Sequence, residues 1–128
     1  MNMTQSPRLA VVSLLVEDLP AAVDFYRDVI GLRLLPHHQP HTAFELENDV
    51  FLVLVQGHPN PKPVSEEEHF PAIAFAVDDL ESTIEHLKSH NLALPWGVEE
   101  RAGSRWVKFF DPSGNLIEIV QFSKPPES

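Results

Sequence analysis

The sequence predicts an α+β fold built from two tandem βαβββ modules. Two internal matches carry this reading. Val16-Glu17-Asp18-Leu19 recurs as Val77-Asp78-Asp79-Leu80, an offset of 61 residues. Leu52-Val53-Leu54-Val55-Gln56 recurs as Ile117-Glu118-Ile119-Val120-Gln121, an offset of 65. Order and spacing agree as well as composition, which points to a duplicated module rather than two chance strands.

Each module opens with an apolar strand, Ala10 to Val16 and Ala72 to Val77. Each strand ends at an acidic N-cap, Asp18 or Asp79, whose carboxylate can accept from the free amides of a first helical turn. Pro20 falls in that turn, where its missing N–H costs nothing. The helices are expected to run to about Ile30 and His90, stopped by Gly31 and Asn91 in the left-handed region. Three strands then follow each helix. They are read at Arg33 to His37, Thr42 to Glu47 and Val50 to Gln56, and at Ala93 to Glu99, Arg105 to Phe110 and Leu116 to Phe122. Turn-forming residues fill Glu47 to Asp49 and Asp111 to Asn115. The expected organisation is one domain over residues 1–128, with modules at about 9–56 and 72–122. A Pro- and Glu-rich linker, 57–71, joins them.

Composition narrows the function. The chain has 128 residues, with 19 acidic against 9 basic side chains and a formal net charge of −10. That surface repels phosphate backbones and anionic lipid, so neither nucleic acid nor a membrane is an expected partner. The absence of cysteine removes disulfides, thiolate metal sites and cysteine nucleophiles. The longest apolar run is about six residues, too short to span a bilayer. Residues 1–8 are polar without a signal-peptide core, so a cytoplasmic location is expected.

Side-chain alternation singles out one strand face in each module. Ile73, Phe75 and Val77 share the bulky face expected to meet the helix, leaving Ala72, Ala74 and Ala76 on the other. In the first module Val12, Leu14 and Val16 oppose Val11, Ser13 and Leu15. Two such sheets are expected to form a curved mixed sheet with helices on its outer face and an apolar trough for a small molecule. Glu118 breaks the apolar run of its strand. A carboxylate there needs water, a cation or a metal nearby. Lys108 is its candidate partner and Trp106 a candidate stacking surface. A Glu118–Lys108 pair is also a candidate for proton transfer. Ser13, Leu15, Ala72, Ala74 and Trp96 complete the expected lining. His41 aligns with Trp106 in the repeat, so it too is expected to point inward.

The duplicated module, with Phe25-Tyr26-Arg27-Asp28-Val29-Ile30-Gly31-Leu32 and Asp111-Pro112-Ser113-Gly114-Asn115-Leu116-Ile117-Glu118, resembles the vicinal oxygen chelate superfamily. That group includes glyoxalase I, bleomycin resistance proteins, fosfomycin resistance proteins and extradiol dioxygenases. The resemblance spans about Leu9 to Gln121 and identifies fold better than activity. It implies a metal-binding histidine eight residues before the leucine closing each strand–helix turn. Those positions hold Val11 and Ala72. The glutamate that glyoxalase I carries in the first module falls at Val53, and only Glu118 keeps the family's ligand type. One carboxylate is not a divalent site. The expected function is therefore bleomycin-resistance-like binding of an aromatic or amphipathic molecule, with no cofactor. The alternatives are a superfamily enzyme using Glu118 with an unusual divalent metal set, and an interaction module with a filled cavity. Chains of this kind are expected to pair as homodimers.

The seven histidines offer no recognised ligand spacing. His37, His38 and His41 cluster in the first module, and His58 and His69 flank the linker. His86 and His90 lie one helical turn apart, a spacing at which exposed imidazoles bind divalent ions weakly and adventitiously. No glycine-rich phosphate loop or Gly-x-Ser-x-Gly elbow is present.

Overall fold

The computed structural model describes residues 8–36, 42–47, 49–58 and 71–123. His37, His38, His41, His69 and most of the expected linker lie outside the described residues. The chain divides into two compact units, residues 1–59 and 60–128. Each contains one four-stranded mixed sheet.

In the first unit the order is β1 (Val11–Val16), α1 (Leu19–Asp24), β2 (Arg33–Leu35), β3 (Thr42–Glu47) and β4 (Val50–Gln56). The spatial order is β1-β4-β3-β2, with β1 parallel to β4 and the other pairs antiparallel. The Asp18 carboxylate accepts from the Ala21 amide at 3.1 Å, and Pro20 sits in the first turn as expected. The helix continues to Val29, but residues Phe25–Val29 form a π-helical turn. The Ile30 amide there donates to the Phe25 carbonyl, five residues back. This wider turn accompanies the burial of two consecutive aromatic residues, Phe25 and Tyr26. Tyr26 packs on Phe44, ring centroids 6.2 Å apart, and the register Val12–Leu52–Phe44 carries the core across the sheet. Gly31, at φ +90°, ends the helix.

The second unit repeats this plan as β5 (Ile73–Ala76), α2 (Leu80–Ser89), β6 (Glu99–Arg101), β7 (Ser104–Phe110) and β8 (Leu116–Phe122). Its spatial order is β5-β8-β7-β6, again with the first strand parallel to the last. Asp79 caps α2 through the Ser82 amide at 3.1 Å, and Asn91, at φ +60°, terminates it. Polar contacts join α2 to its sheet beside the buried Leu80 and Leu87. The Leu80 amide donates to Gln121 Oε1 at 2.7 Å, and Arg105 pairs with Glu81 at 2.6 Å. The core rows on that face are Ile73–Ile117–Phe109 and Phe75–Ile119–Val107.

The short second strands differ from expectation. β2 stops at Leu35, before Pro36. β6 begins at Glu99, not at Ala93. Pro95 lacks an amide for a ladder, and Gly97, at φ +61°, takes its amide back to the Leu94 carbonyl. The segment before Glu99 is therefore a turn-bearing loop, which carries Trp96 out of the sheet.

The Asp111–Asn115 hairpin is organised by one buried carboxylate, 4% exposed. Asp111 Oδ1 accepts from the amides of Ser113 and Asn115, both at 2.9 Å, and Oδ2 accepts from Asn115 Nδ2 at 2.9 Å. A charge can be buried there because these donors replace water. Gly114 supplies the left-handed residue, φ +90°.

Candidate functional site

Antiparallel pairing sets Lys108 opposite Glu118, and parallel pairing sets Glu118 opposite Ala74. Residues in register share a face, so these three form one row on the side away from α2. The next row reads Ala76, Val120, Trp106 and Glu99. The predicted juxtaposition of Glu118, Lys108 and Trp106 on one face is thus what the strands produce.

Lys108 is the unusual member. Its side chain is only 6% exposed. Its ammonium lies 2.9 Å from Glu99 Oε1 and 5.3 Å from the centre of the Trp96 ring. Glu99 stands diagonally across the β6–β7 pair from Lys108, and Trp96 descends from the preceding loop. Trp96 also packs on Phe110, centroids 5.7 Å apart. Burying an ammonium costs several kcal/mol unless charge and packing compensate, and here a carboxylate and an indole face do so. The ammonium and Glu99 Oε1 form an ion pair. That buried oxygen accepts no hydrogen bond among the described residues. It is held by charge and closed off from solvent.

Glu99 and Phe110 were not among the residues expected from sequence. Glu99 fell at the end of a strand read seven residues long, so its face and its diagonal to Lys108 were hidden. Phe110 was legible by alternation, two residues beyond Lys108 on the same strand.

The remaining expected lining residues are dispersed. Ala74 and Ala76 are exposed on β5, and Ala72 is half-buried just before it. Ser13 and Leu15 belong to the first unit, exposed on β1 away from the Tyr26–Phe44 core. His41 lies outside the described residues.

The family's metal positions can be tested by donor chemistry. Val11 and Val53 lie on the face of the first sheet away from its core, paired in register with Phe51 and with Ser13 and Ala43. Their side chains are hydrocarbon, as is that of Ala72, and none can donate a lone pair. Among the described residues no three of His, Asp and Glu gather around a common point. The residues at these positions do not fit a divalent ion.

On the face carrying α2, Arg105 holds the Glu81 carboxyl below its ordinary value, mainly through their hydrogen bond. The same contact raises Arg105. This pair fastens the helix and takes no part in the face bearing Lys108.

Comparison with known proteins agrees with this architecture. The antibiotic-binding protein TnmS3 from Streptomyces sp. CB03234 superposes with a TM-score of 0.76 at 26% identity, over 95% of this chain and 100% of that one. A glyoxalase/dioxygenase from Nostoc punctiforme gives 0.78 at 23% identity, over 99% of each chain. Lactoylglutathione lyase from Agrobacterium tumefaciens gives 0.69 at 22%, over 91% of this chain and 95% of that one. The last two likenesses establish fold alone. No helix among the described residues is long and apolar enough to cross a membrane. The family model of the Glyoxalase/Bleomycin resistance protein/Dioxygenase superfamily matches residues 8–119, nearly the whole duplicated module, and the chain belongs to that superfamily.

Proposed function

We propose that this chain is a metal-independent binding protein for a small aromatic or amphipathic molecule, which it holds against the β7–β8 face. The observation that carries this reading is the buried ammonium of Lys108, fixed between Glu99 and the Trp96 ring in register with Glu118, on the sheet face away from the helix. A structural core would fill that position with hydrocarbon at less cost. A ligand face instead needs a few fixed polar groups among apolar and aromatic ones. The Glu118 carboxylate offers an acceptor to a ligand donor, while Trp96, Trp106 and Phe110 offer flat apolar contact. The antibiotic-binding relative at 26% identity supports a binding role. The hydrocarbon at Val11, Val53 and Ala72 supports independence from metal. We further propose that the protein works in the cytoplasm as a homodimer, which light scattering at micromolar concentration tests directly.

Both tryptophans of the chain, Trp96 and Trp106, belong to this one unit. Intrinsic fluorescence therefore reports the proposed face without a label. Metal-free bleomycin and a panel of planar aromatic amines, phenols and acids are titrated against it, with melting temperature measured in parallel. At least one compound is expected to change the fluorescence saturably and raise the melting temperature. If none does either, the binding reading fails.

A further inference from the structure

The charges of the β7–β8 face do not balance. The row of Lys108, Glu118 and Ala74 and the adjoining row of Glu99, Trp106, Val120 and Ala76 hold one ammonium and two carboxylates. However the Lys108 ammonium is shared between Glu99 and Glu118, one negative charge is left over. The Lys108 end of this group is closed. Its side chain is 6% exposed, and Glu99 Oε1 at 2.9 Å is shut off from solvent. The Glu118 end is open. Glu118 is half-buried, and its register neighbour Ala74 is exposed, as is Ala76 in the next row. Small side chains there leave room beside the carboxylate. Leu116 and Val120, its face neighbours on β8, are buried, so it stands in apolar surroundings where charge acts strongly.

Arg101 shares this face but lies far along it. It pairs in register with Ser104, two rows beyond Lys108, so its backbone stands about 13 Å away along the strands. It is exposed, and salt screens it at that range. Residues 71–123 carry four basic and eight acidic side chains, so the wider field has the same sign as the local one.

We infer that the ligand of this face is an aromatic cation, a flat ring carrying a protonated amine or amidine, and that neutral and acidic analogues are rejected; this rests on the binding role proposed above. The cationic group donates a charge-assisted hydrogen bond to the Glu118 carboxylate. Trp106 stands diagonally from Glu118 across the β7–β8 ladder, a spacing that aromatic and long side chains bridge. Its indole face attracts the same cation and gives the ring area to lie on. The protein makes this combination internally as well, where the Lys108 ammonium meets a carboxylate and lies 5.3 Å from the centre of the Trp96 ring. An acidic ligand would face the surplus negative charge, and the ammonium that could receive it is enclosed by Glu99 and Trp96.

The test uses matched sets of probes. Benzene, naphthalene and quinoline rings each carry an aminomethyl, a hydroxymethyl or a carboxylate group, and binding is read by calorimetry and melting temperature near neutral pH. The amines are expected to bind about tenfold or more tighter than the alcohol and the acid of the same ring. Added salt should weaken the amines and leave the alcohols unchanged. Glu118→Gln should abolish the preference for amines. Glu100→Gln, which removes the same charge from the opposite face of β6, should keep it; far-UV circular dichroism checks that both variants are folded. An alcohol or acid that binds as tightly as its amine overturns the inference while the binding role stands. So does a set in which no amine binds, when another compound of the fluorescence panel does. An equal loss of preference in Glu100→Gln also overturns it, because overall charge and not Glu118 would then select the ligand. Silence across both the matched sets and the fluorescence panel removes the binding role itself.

Discussion

Lys108 stands between two glutamates: Glu118 is its register partner across the β7–β8 ladder, and Glu99 Oε1 lies 2.9 Å from its ammonium. The arrangement divides two roles. Glu99, with its side chain 32% exposed, compensates the buried charge from the β6 side. Glu118, half-buried beside exposed Ala74, is the carboxylate nearer the open strand β5.

The first prediction separates these roles by stability. Glu99→Gln removes a charge 2.9 Å from a buried ammonium. Breaking a buried pair costs about 3–5 kcal/mol, and the exposure of Glu99 together with the neighbouring Glu118 brings the expected loss to about 1–3 kcal/mol. Lys108→Met in the same chain should recover most of it, because methionine keeps the volume without the charge. Urea unfolding of the two single variants and the double variant measures the coupling. A Glu99→Gln midpoint equal to that of the parent would show that the pair contributes nothing to stability.

Binding is expected to track Glu118 instead. Glu118→Gln keeps the shape, and Lys108 retains Glu99, so the unfolding midpoint should move little. Affinity for whichever compound binds in the fluorescence titration should fall about tenfold or more, the cost of a lost charge-assisted hydrogen bond. Unchanged affinity would remove Glu118 from the binding face.

Asp111 is predicted to be structural. Asp111→Ala leaves the Ser113 and Asn115 amides without their acceptor in a hairpin whose carboxylate is buried. The expected loss is about 1–3 kcal/mol by chemical denaturation. Ligand affinity should be unaffected at temperatures where the variant is folded.

Acid should loosen α2 through Glu81. Its carboxyl is held below the ordinary value of 4.5 in the folded chain by Arg105. The stabilisation is therefore present above that value and lost as pH falls through the lower folded value. The pair is exposed, so the effect is small and salt reduces it further. Glu81→Gln should flatten this part of the acid dependence of the melting temperature, lowering the neutral-pH value by the same small amount.

Much of this was legible because local chemistry and periodicity agreed. Asp18 and Asp79 cap their helices at the positions where the acidic residue precedes the apolar period, and Asn91 and Gly31 stop them. Alternation placed Glu118, Lys108 and Trp106 on one face before any pairing was known. Alternation does not, however, give register across a third strand. Glu99 reaches Lys108 only because β6 is short, and β6 is short because Pro95 and Gly97 spoil the segment that its apolar residues suggested. The π-helical turn at Phe25–Val29 was hidden for a similar reason. Its sequence suits an ordinary helix, and the inward demand of both Phe25 and Tyr26 is a tertiary condition.

The register of the two sheets also records how a duplicated chain has specialised. Val53 pairs with Ala43 and Ser13 in the first unit as Glu118 pairs with Lys108 and Ala74 in the second. The same backbone addresses thus hold hydrocarbon in one copy and opposite charges in the other. A duplicated fold has two copies of every address, so costly buried charge at one leaves its twin free to hold hydrocarbon. The hydrocarbon address lies in the first sheet, where Ala43→Lys with Val53→Glu would ask whether a second charged centre can be grafted onto the twin.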